Sequence, residues 1–310
     1  MLADISVVVP VFNREKLIIR TLDSIIGQEL LPRELIVVDN GSTDSTYNRV
    51  ERWMSDHSDS KVKMNLLSEP QKGACKARQR GLKNATSTYI SFFDSDDVMY
   101  PQLIKRAFSS LEEDPEADIL CWKSKIILLN GDSRILPFSE TDPLEAHLIH
   151  TLLRPQGYLV KKDFIESAGG WGKDIKVWND FELGLRLILN NPRLKYVNEV
   201  LSCIFAQKES ITGLDFSSKE GEWEKTLAEM KKTVQESDDA RKEKIIGILD
   251  YRKVILSAIY KREGNRAGAL SLYRETMKNK KIKEKIPLWL AYQYTSKGLQ
   301  GAWHLVRFFY

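Results

Sequence analysis

The stretch Ile90-Ser91-Phe92-Phe93-Asp94-Ser95-Asp96-Asp97 constrains this chain most. Its first four residues read as a short buried strand, apolar and β-favouring. That strand runs straight into three carboxylates within four positions. Carboxylates so close resist ionising together unless something positive sits among them, and a hard divalent cation that takes oxygen ligands is a common answer. Asp94 and Asp96 are therefore read as a metal and phosphate site at a strand end. The other reading of the same residues is a solvated turn leading into a helix N-cap, since Ser and Asp favour both.

What precedes the acidic stretch alternates. Ile5 to Val11 is β-branched almost throughout and reads as a strand, with Pro10 ending its ladder pairing near the carboxyl edge. Ile18, Leu22, Ile25 and Ile26 then fall on one helical face. A second strand, Glu34 to Asp39, stops at Asn40-Gly41-Ser42-Thr43-Asp44, a turn that also supplies helix caps. Val62 to Leu67 is a weaker strand and Gly73 to Leu82 a helix. Strand, helix, strand, helix and then the acidic strand end predict an α/β fold, a largely parallel sheet flanked by helices on both faces. Ligands of such sheets bind at the carboxyl ends of the strands, where Pro10, Asp39 and Asp94 all fall.

Five ordered segments carry a family resemblance: Val7 to Arg14 (Val-Val-Val-Pro-Val-Phe-Asn-Arg), Leu35 to Asp44 (Leu-Ile-Val-Val-Asp-Asn-Gly-Ser-Thr-Asp), Gly73 to Leu82 (Gly-Ala-Cys-Lys-Ala-Arg-Gln-Arg-Gly-Leu), Asp94 to Asp97, and Trp178 to Leu183 (Trp-Asn-Asp-Phe-Glu-Leu). Over residues 3 to 205 the chain resembles the family 2 glycosyltransferases, inverting enzymes of the GT-A fold that use nucleotide-sugars. The resemblance implies that Pro10, Phe12 and Asn13 border the nucleotide pocket and that Asp39 accepts a hydrogen bond from base or ribose. On position alone, Asp39 caps the helix after Gly41. Arg78 meets the diphosphate or braces the carboxylates, or forms a structural ion pair. Asp94 is assigned to ribose and Asp96 to a Mg²⁺ or Mn²⁺ that bridges the diphosphate. Asp97 either assists the metal or caps the helix that Pro101 opens.

The same resemblance makes Asp180 the general base, where position alone suggests a helix N-cap. The family commonly has Glu before this aspartate and the chain has Asn179, which removes a neighbouring negative charge. Gly169-Gly170-Trp171-Gly172 looks like the acceptor-side loop, and Trp178 either stacks on a sugar or packs in the core. Before these, Asn130-Gly131-Asp132 marks a hairpin between Ile119–Leu129 and Arg134–Leu136.

From Glu220 the pattern turns helical and charged. Ile245 to Tyr260 and Arg266 to Met277 read as a helical hairpin about Glu263-Gly264-Asn265. Its small-residue spacing is similar to a tetratricopeptide unit, but with no second copy a plain helical appendage is expected. The predicted division is a catalytic domain over 1–215 and a helical, basic and aromatic-rich region over 220–310. Charge supports it: the chain has 47 Lys+Arg and 43 Asp+Glu, a net of +4, yet residues 221–310 hold 19 Lys+Arg against 11 Asp+Glu. A slightly acidic body with a basic tail argues against a nucleic-acid binder, whose basic residues would line the working domain. Lys278, Lys280, Lys281, Lys283 and Lys285 precede Trp289, Tyr292, Tyr294, Trp303, Phe308, Phe309 and Tyr310, which suits a membrane-surface contact through 278–310. The competing reading packs these aromatics on the body or on a partner chain.

The 11-residue charge-free run Ile286 to Ser296 is too short to span a bilayer, and no secretory signal is visible. Three widely spaced cysteines, Cys75, Cys121 and Cys203, suggest free thiols in a reducing compartment. The expected location is the cytoplasm, at the inner face of the membrane if the tail binds there. The expected partners are a nucleotide-diphosphate sugar and a glycan or lipid-linked acceptor, in bacterial surface polysaccharide or glycolipid synthesis. The alternative outside catalysis is a nucleotide-sugar-binding or scaffolding protein acting through its helical tail. A Mg²⁺-dependent phosphatase or nucleotidyltransferase is disfavoured, because no P-loop is present and the acidic motif comes late.

Overall fold

A computed structural model describes residues 1–172, 174–207, 215–278, 280–299 and 301–306. Phe308, Phe309 and Tyr310 and the side chain of Trp303 lie outside what is described. The β-branched N-terminal run forms β1 (Ala3–Val11), followed by α1 (Ile18–Ile26), β2 (Pro32–Asp39), α2 (Thr46–Asp56), β3 (Lys63–Ser68), α3 (Ala74–Asn84) and β4 (Tyr89–Phe92). Then come β5 (Val98–Met99), α4 (Leu103–Glu113), β6 (Ile119–Ile127), β7 (Ser133–Ile135), α5 (Pro143–His150), β8 (Tyr158–Lys161), α6 (Lys162–Ser167), α7 (Asn179–Leu189) and β9 (Leu194–Phe205). The sheet runs in the order β3-β2-β1-β4-β8-β6-β9-β5, with β7 paired to β6.

The sheet is mixed, where a largely parallel one was expected. β3, β2, β1 and β4 are parallel, as the alternation predicts. β8 then enters antiparallel between β4 and β6. An apolar run such as Tyr158-Leu159-Val160 carries no mark of its direction. β6 and β7 are antiparallel because they flank the Asn130-Gly131-Asp132 turn, and so short a connection permits no other pairing. Pro10 also differs from expectation, for it stays in register opposite Val38. Its missing N–H points toward β4, whose pairing with β1 has already ended at Phe92, so no hydrogen bond is lost.

The core lies on one face of β1, where Ile5, Val7, Val9 and Val11 meet Ile18, Leu22 and Ile25 of α1 and Leu103, Ile104 and Leu111 of α4. On the other face α3 comes down close to the sheet at Gly81. A Cβ there would lie 2.2 Å from Val8 Cγ1, so only glycine permits this approach. Arg78, about one turn earlier on α3, is thereby set beside the carboxyl ends of the strands.

At the opposite end of the strands Glu34 is buried, and its carboxylate accepts from Ser6 Oγ (2.7 Å), Thr86 N–H (2.8 Å) and Lys63 Nζ (2.8 Å). Burial pushes its pKa up, but Lys63, Ser6 and Thr86 together hold it below the ordinary 4.5.

Residues 207–310 form a second compact unit together with His147–Ile149, while the first comprises 1–146 and 150–206. The second unit contains α8 (Glu222–Glu236), α9 (Lys242–Arg262), α10 (Arg266–Met277), α11 (Ile282–Ser296) and α12 (Ala302–Leu305). α9 is its axis: α8, α10 and α11 all pack on it, and Ile248, Leu249, Val254, Ile255 and Leu256 are buried along it. Among the described residues no helix is long and apolar enough to cross a membrane. Cys75, Cys121 and Cys203 are free and buried.

Glu34→Gln should lower the unfolding free energy at pH 7 by about 1–3 kcal/mol, since a charge-assisted network is broken while its donors stay buried. A depressed folded pKa contributes stability that is complete above the ordinary value of 4.5 and lost as pH falls through the depressed one. Urea denaturation of the two proteins should therefore converge toward acid pH.

Candidate active site

The carboxyl ends of β1, β2 and β4 supply the first residues of the site. Asp39 ends β2, and its Oδ2 accepts from the N–H groups of Gly41 (3.1 Å) and Ser42 (3.0 Å), a local turn that aims the carboxylate. Its Oδ1 is buried without a hydrogen-bond partner among the described residues. A buried carboxylate oxygen left unpaired is costly unless a ligand supplies the donor. Asn13 follows β1 in the left-handed region (φ 50°) and ties the two strand ends together, accepting from Thr43 N–H at 2.8 Å while its own N–H donates to Ser42 Oγ at 3.0 Å. Pro10, next to last in β1, is half-buried, and Phe12 is 43% exposed, with Lys72 Nζ 5.9 Å from its ring centre.

Three carboxylates at the end of β4 were expected to need positive charge, and two arginines provide it. Arg78 donates to Asp94 Oδ1 at 2.7 Å, and Arg14 Nε donates to Asp96 Oδ2 at 3.2 Å. Gln156 bridges the remaining pair, its Nε2 lying 2.5 Å from Asp94 Oδ2 and 2.6 Å from Asp97 Oδ2. Gln156 is itself held through its backbone carbonyl, which accepts from Trp122 Nε1 (2.8 Å) and Ser202 Oγ (2.6 Å). Asp97 is 2% exposed, and its other oxygen accepts the Phe205 N–H at 2.9 Å. Burial first, then the charges of Asp94 and Asp96, push the Asp97 carboxyl well above the ordinary carboxylate range. Burial and Asp94 also raise Asp96, against the lowering effect of Arg14.

These positions bear on the metal assignment. Asp94 and Asp96 keep 32% and 17% of their side chains exposed, whereas Asp97 turns both oxygens into protein donors. Nor does Asp97 cap a helix, since α4 starts at Leu103 with Gln102 at the cap position. Among the described residues no three or more His, Cys, Asp or Glu side chains are gathered as a metal cage. The donor set fits a Mg²⁺ or Mn²⁺ held by one or two carboxylates together with substrate phosphates, which is how Mg²⁺ is commonly bound.

α7 brings the other half. Trp178, at its N-cap, adopts a left-handed conformation (φ 50°) that turns the chain into the helix, with Asn179 and Asp180 as its first two residues. Arg78 donates from its other terminal nitrogen to Asn179 Oδ1 at 3.0 Å, so one guanidinium joins the acidic strand end to the start of α7. Glu182 and Arg186, one turn apart and buried, pair at 2.8 Å, and Arg186 also donates to the carbonyl of Gly170 at 2.9 Å. The glycine-rich loop is thereby pinned to α7. Asp180 is half-buried, and burial raises its pKa above the ordinary 3.8 although the Arg78 charge pulls it down. Arg154 is the second cation that feels Asp180, and burial brings its own pKa down to about 10.

The two tryptophans differ in access. Trp171 is 2% exposed, packed edge-on against Phe92 (5.2 Å between ring centres) with the Arg78 guanidinium 4.7 Å above its ring. Its face is not open to a sugar, and it supports Arg78 instead. Trp178 is half-buried, 6.2 Å from the Phe181 ring.

Sequence reasoning gave no role to Arg14, Gln156 or Asn40. Arg14 follows Asn13 directly, so its closeness to a strand end was a usable signal. Gln156 had none, being an amide some 60 residues from the carboxylates it bridges. Asn40 donates to the carbonyls of Glu69 and Gln71 and accepts the Gly73 N–H at 2.7 Å, which fixes the entry to α3. Gln156→Leu should leave Asp94 and Asp97 facing each other without their shared donor. A loss of about 1–3 kcal/mol in urea denaturation is expected, with secondary structure unchanged by circular dichroism.

Residues 6–155 match the family model described as glycosyl transferase family 2. The poly(ribitol-phosphate) beta-N-acetylglucosaminyltransferase TarS of Staphylococcus aureus is 33% identical over 154 residues, 47% of this chain and 26% of that one. An Escherichia coli UDP-Glc:alpha-D-GlcNAc-diphosphoundecaprenol beta-1,3-glucosyltransferase, WfgD, is 34% identical over 107 residues, 34% of this chain and 40% of its own. The matched stretches thus span less than half the length of these relatives. Among solved structures, S. aureus TarS 1–349 in complex with UDP-GlcNAc superposes with a TM-score of 0.69 at 19% identity, covering 99% of this chain and 92% of the other. The mannosyltransferase PcManGT of Pyrobaculum calidifontis, in complex with GDP-Man and Mn²⁺, gives 0.61 at 17% identity over 99% and 87%. At such identities these likenesses establish the fold, which is the GT-A fold. Through residues 6–155, the chain is similar to glycosyl transferase family 2.

Proposed function

We propose that the chain is an inverting glycosyltransferase that moves a sugar from a nucleotide-diphosphate donor to an acceptor hydroxyl. Residues 1–215 form its catalytic domain and 220–310 a helical appendage. One observation carries the reading: the unpaired Asp39 carboxylate oxygen, the Asp94 and Asp96 carboxylates and the base candidate Asp180 all belong to strand or helix ends that Asn13 and Arg78 tie together. Asp39 takes the hydrogen bond of base or ribose, and Phe12, Pro10 and Asn13 border the nucleotide. Asp94, held by Arg78 and Gln156, meets the ribose. A Mg²⁺ or Mn²⁺ at Asp96, with Asp94 beside it, would supply positive charge for the departing diphosphate. Asp97, with its oxygens already taken, acts by positioning Asp94 through Gln156.

Asp180 accepts the proton of the acceptor hydroxyl as that oxygen attacks the anomeric carbon from the face opposite the nucleotide. The bond to the diphosphate breaks as the new glycosidic bond forms, and the configuration inverts. The raised pKa of Asp180 favours taking that proton. Trp178, half-buried and next to the base on α7, supplies the acceptor-side contact. The relatives' names support a UDP-sugar as donor and a glycan or lipid-linked acceptor. The basic and aromatic composition of residues 278–310 supports a membrane-surface contact there.

Asp180→Asn should lower kcat by about 10²–10⁴-fold and leave donor binding unchanged, with the wild-type product inverted at the anomeric carbon by NMR. As the carboxylate must be ionised to accept a proton, kcat of the wild type should fall as pH drops through a value above 3.8. Donor binding without transfer to any acceptor would favour the scaffold reading, and transfer with retained configuration would remove Asp180 from its role.

A further inference from the structure

Helix α11 presents two unlike sides. Pro287, Leu288, Ala291 and Thr295 are buried, and the helix packs on α9. On the solvent side Ile282 is 80% exposed, Ile286 55%, Trp289 50% and Leu290 41%. At about 100° per residue these four fall within an arc of roughly 100°, a continuous apolar stripe. Single exposed apolar side chains are ordinary, but four on one helix face are not.

The charges around the stripe have one sign. Lys283 lies on one flank and Lys285 on the other, with Lys281 and Lys297 at the two ends of the helix. Glu284 is the helix's sole acidic residue. It sits on the opposite side, where its Oε2 accepts the Lys281 N–H at 2.7 Å and Lys280 lies 3.9 Å from its carboxylate. The exposed face therefore combines large apolar side chains at its centre, a tryptophan among them, with lysines along its borders.

We infer that this face of α11 is a binding surface for an anionic phospholipid bilayer, lying parallel to it with Ile282, Ile286, Trp289 and Leu290 in the acyl boundary and the lysines at the headgroups. An interfacial helix has this distribution of residues, and basic residues beside it gain from the negative surface potential of anionic lipid. A second copy of the chain fits less well. Protein interface cores are depleted of lysine, and the exposed face offers no carboxylate for the lysines of a partner copy to meet. The depth is that of a surface contact, since no described helix is long and apolar enough to cross a membrane.

This gives a defined surface to the membrane contact proposed above, and its test is independent of sugar transfer. The full chain is sedimented with phosphatidylcholine vesicles, with and without phosphatidylglycerol, at low and high salt. Two double variants at exposed or flanking positions, Ile286→Glu with Trp289→Glu and Lys283→Glu with Lys285→Glu, are compared with the wild type, with circular dichroism and calorimetric UDP binding as controls on fold and donor site. Wild type should bind only the anionic vesicles and be released by salt, and each double variant should lose about tenfold or more in partitioning while keeping its helicity. Wild type that stays in the supernatant, or variants that bind as it does, would overturn the assignment. So would a wild-type dimer that the Ile286/Trp289 variant converts to monomer, because the stripe would then be a self-interface. Vesicle binding by a protein that binds no nucleotide would uphold this surface while the transferase reading failed.

Discussion

The Arg78 guanidinium is the interaction on which the site depends. It donates to Asp94 at the end of β4 and to Asn179 at the start of α7, residues 85 positions apart in the chain. Buried charge of this kind is retained only where partners surround it, and Arg78 has them on three sides, with the Trp171 ring beneath it. Its height over the sheet is set by Gly81, which lets α3 settle on Val8. The backbone contact at Gly81, the indole of Trp171 and the two acceptors thus fix one cation, and that cation aligns the acidic strand end with the helix of Asp180.

The acidic cluster needs compensation, and most of it is internal. Arg14, Arg78 and the amide of Gln156 each take a share of the three carboxylates. What remains is graded: Asp97 is sealed and its ionisation is opposed, while Asp94 and Asp96 stay partly open. Asn179 belongs to the same balance. A carboxylate in its place would compete with Asp94 for Arg78, whereas the neutral amide accepts one hydrogen bond and leaves the cation's charge to Asp94 and Asp180.

The parts of this arrangement that were legible in the sequence are those with local signatures. Ile5 to Val11 and Leu35 to Val38 announce strands through β-branching, and Asn130-Gly131-Asp132 announces a hairpin through turn chemistry. Asp39, Asp94 and Asp180 stand where strands end or helices begin. The remainder is set by distant pairing, which leaves no local mark. The insertion of β8 between β4 and β6 makes the sheet mixed. Gln156 reaches Asp97 from another part of the chain, and the burial of Trp171 follows from the packing of a loop against α3 and β4. A tryptophan beside glycines looks the same in sequence whether it faces a sugar or supports an arginine.

The carboxyl ends of β1, β2 and β4 are proposed to bind a nucleotide. Calorimetric titration of the purified protein with UDP, GDP and dTDP, each with and without Mn²⁺, and of Asp96→Ala in parallel, tests it most directly. One nucleotide should bind with 1:1 stoichiometry, more tightly with Mn²⁺, and the metal-dependent part should disappear in the variant. A folded wild-type protein that binds none of the three under either condition would contradict it.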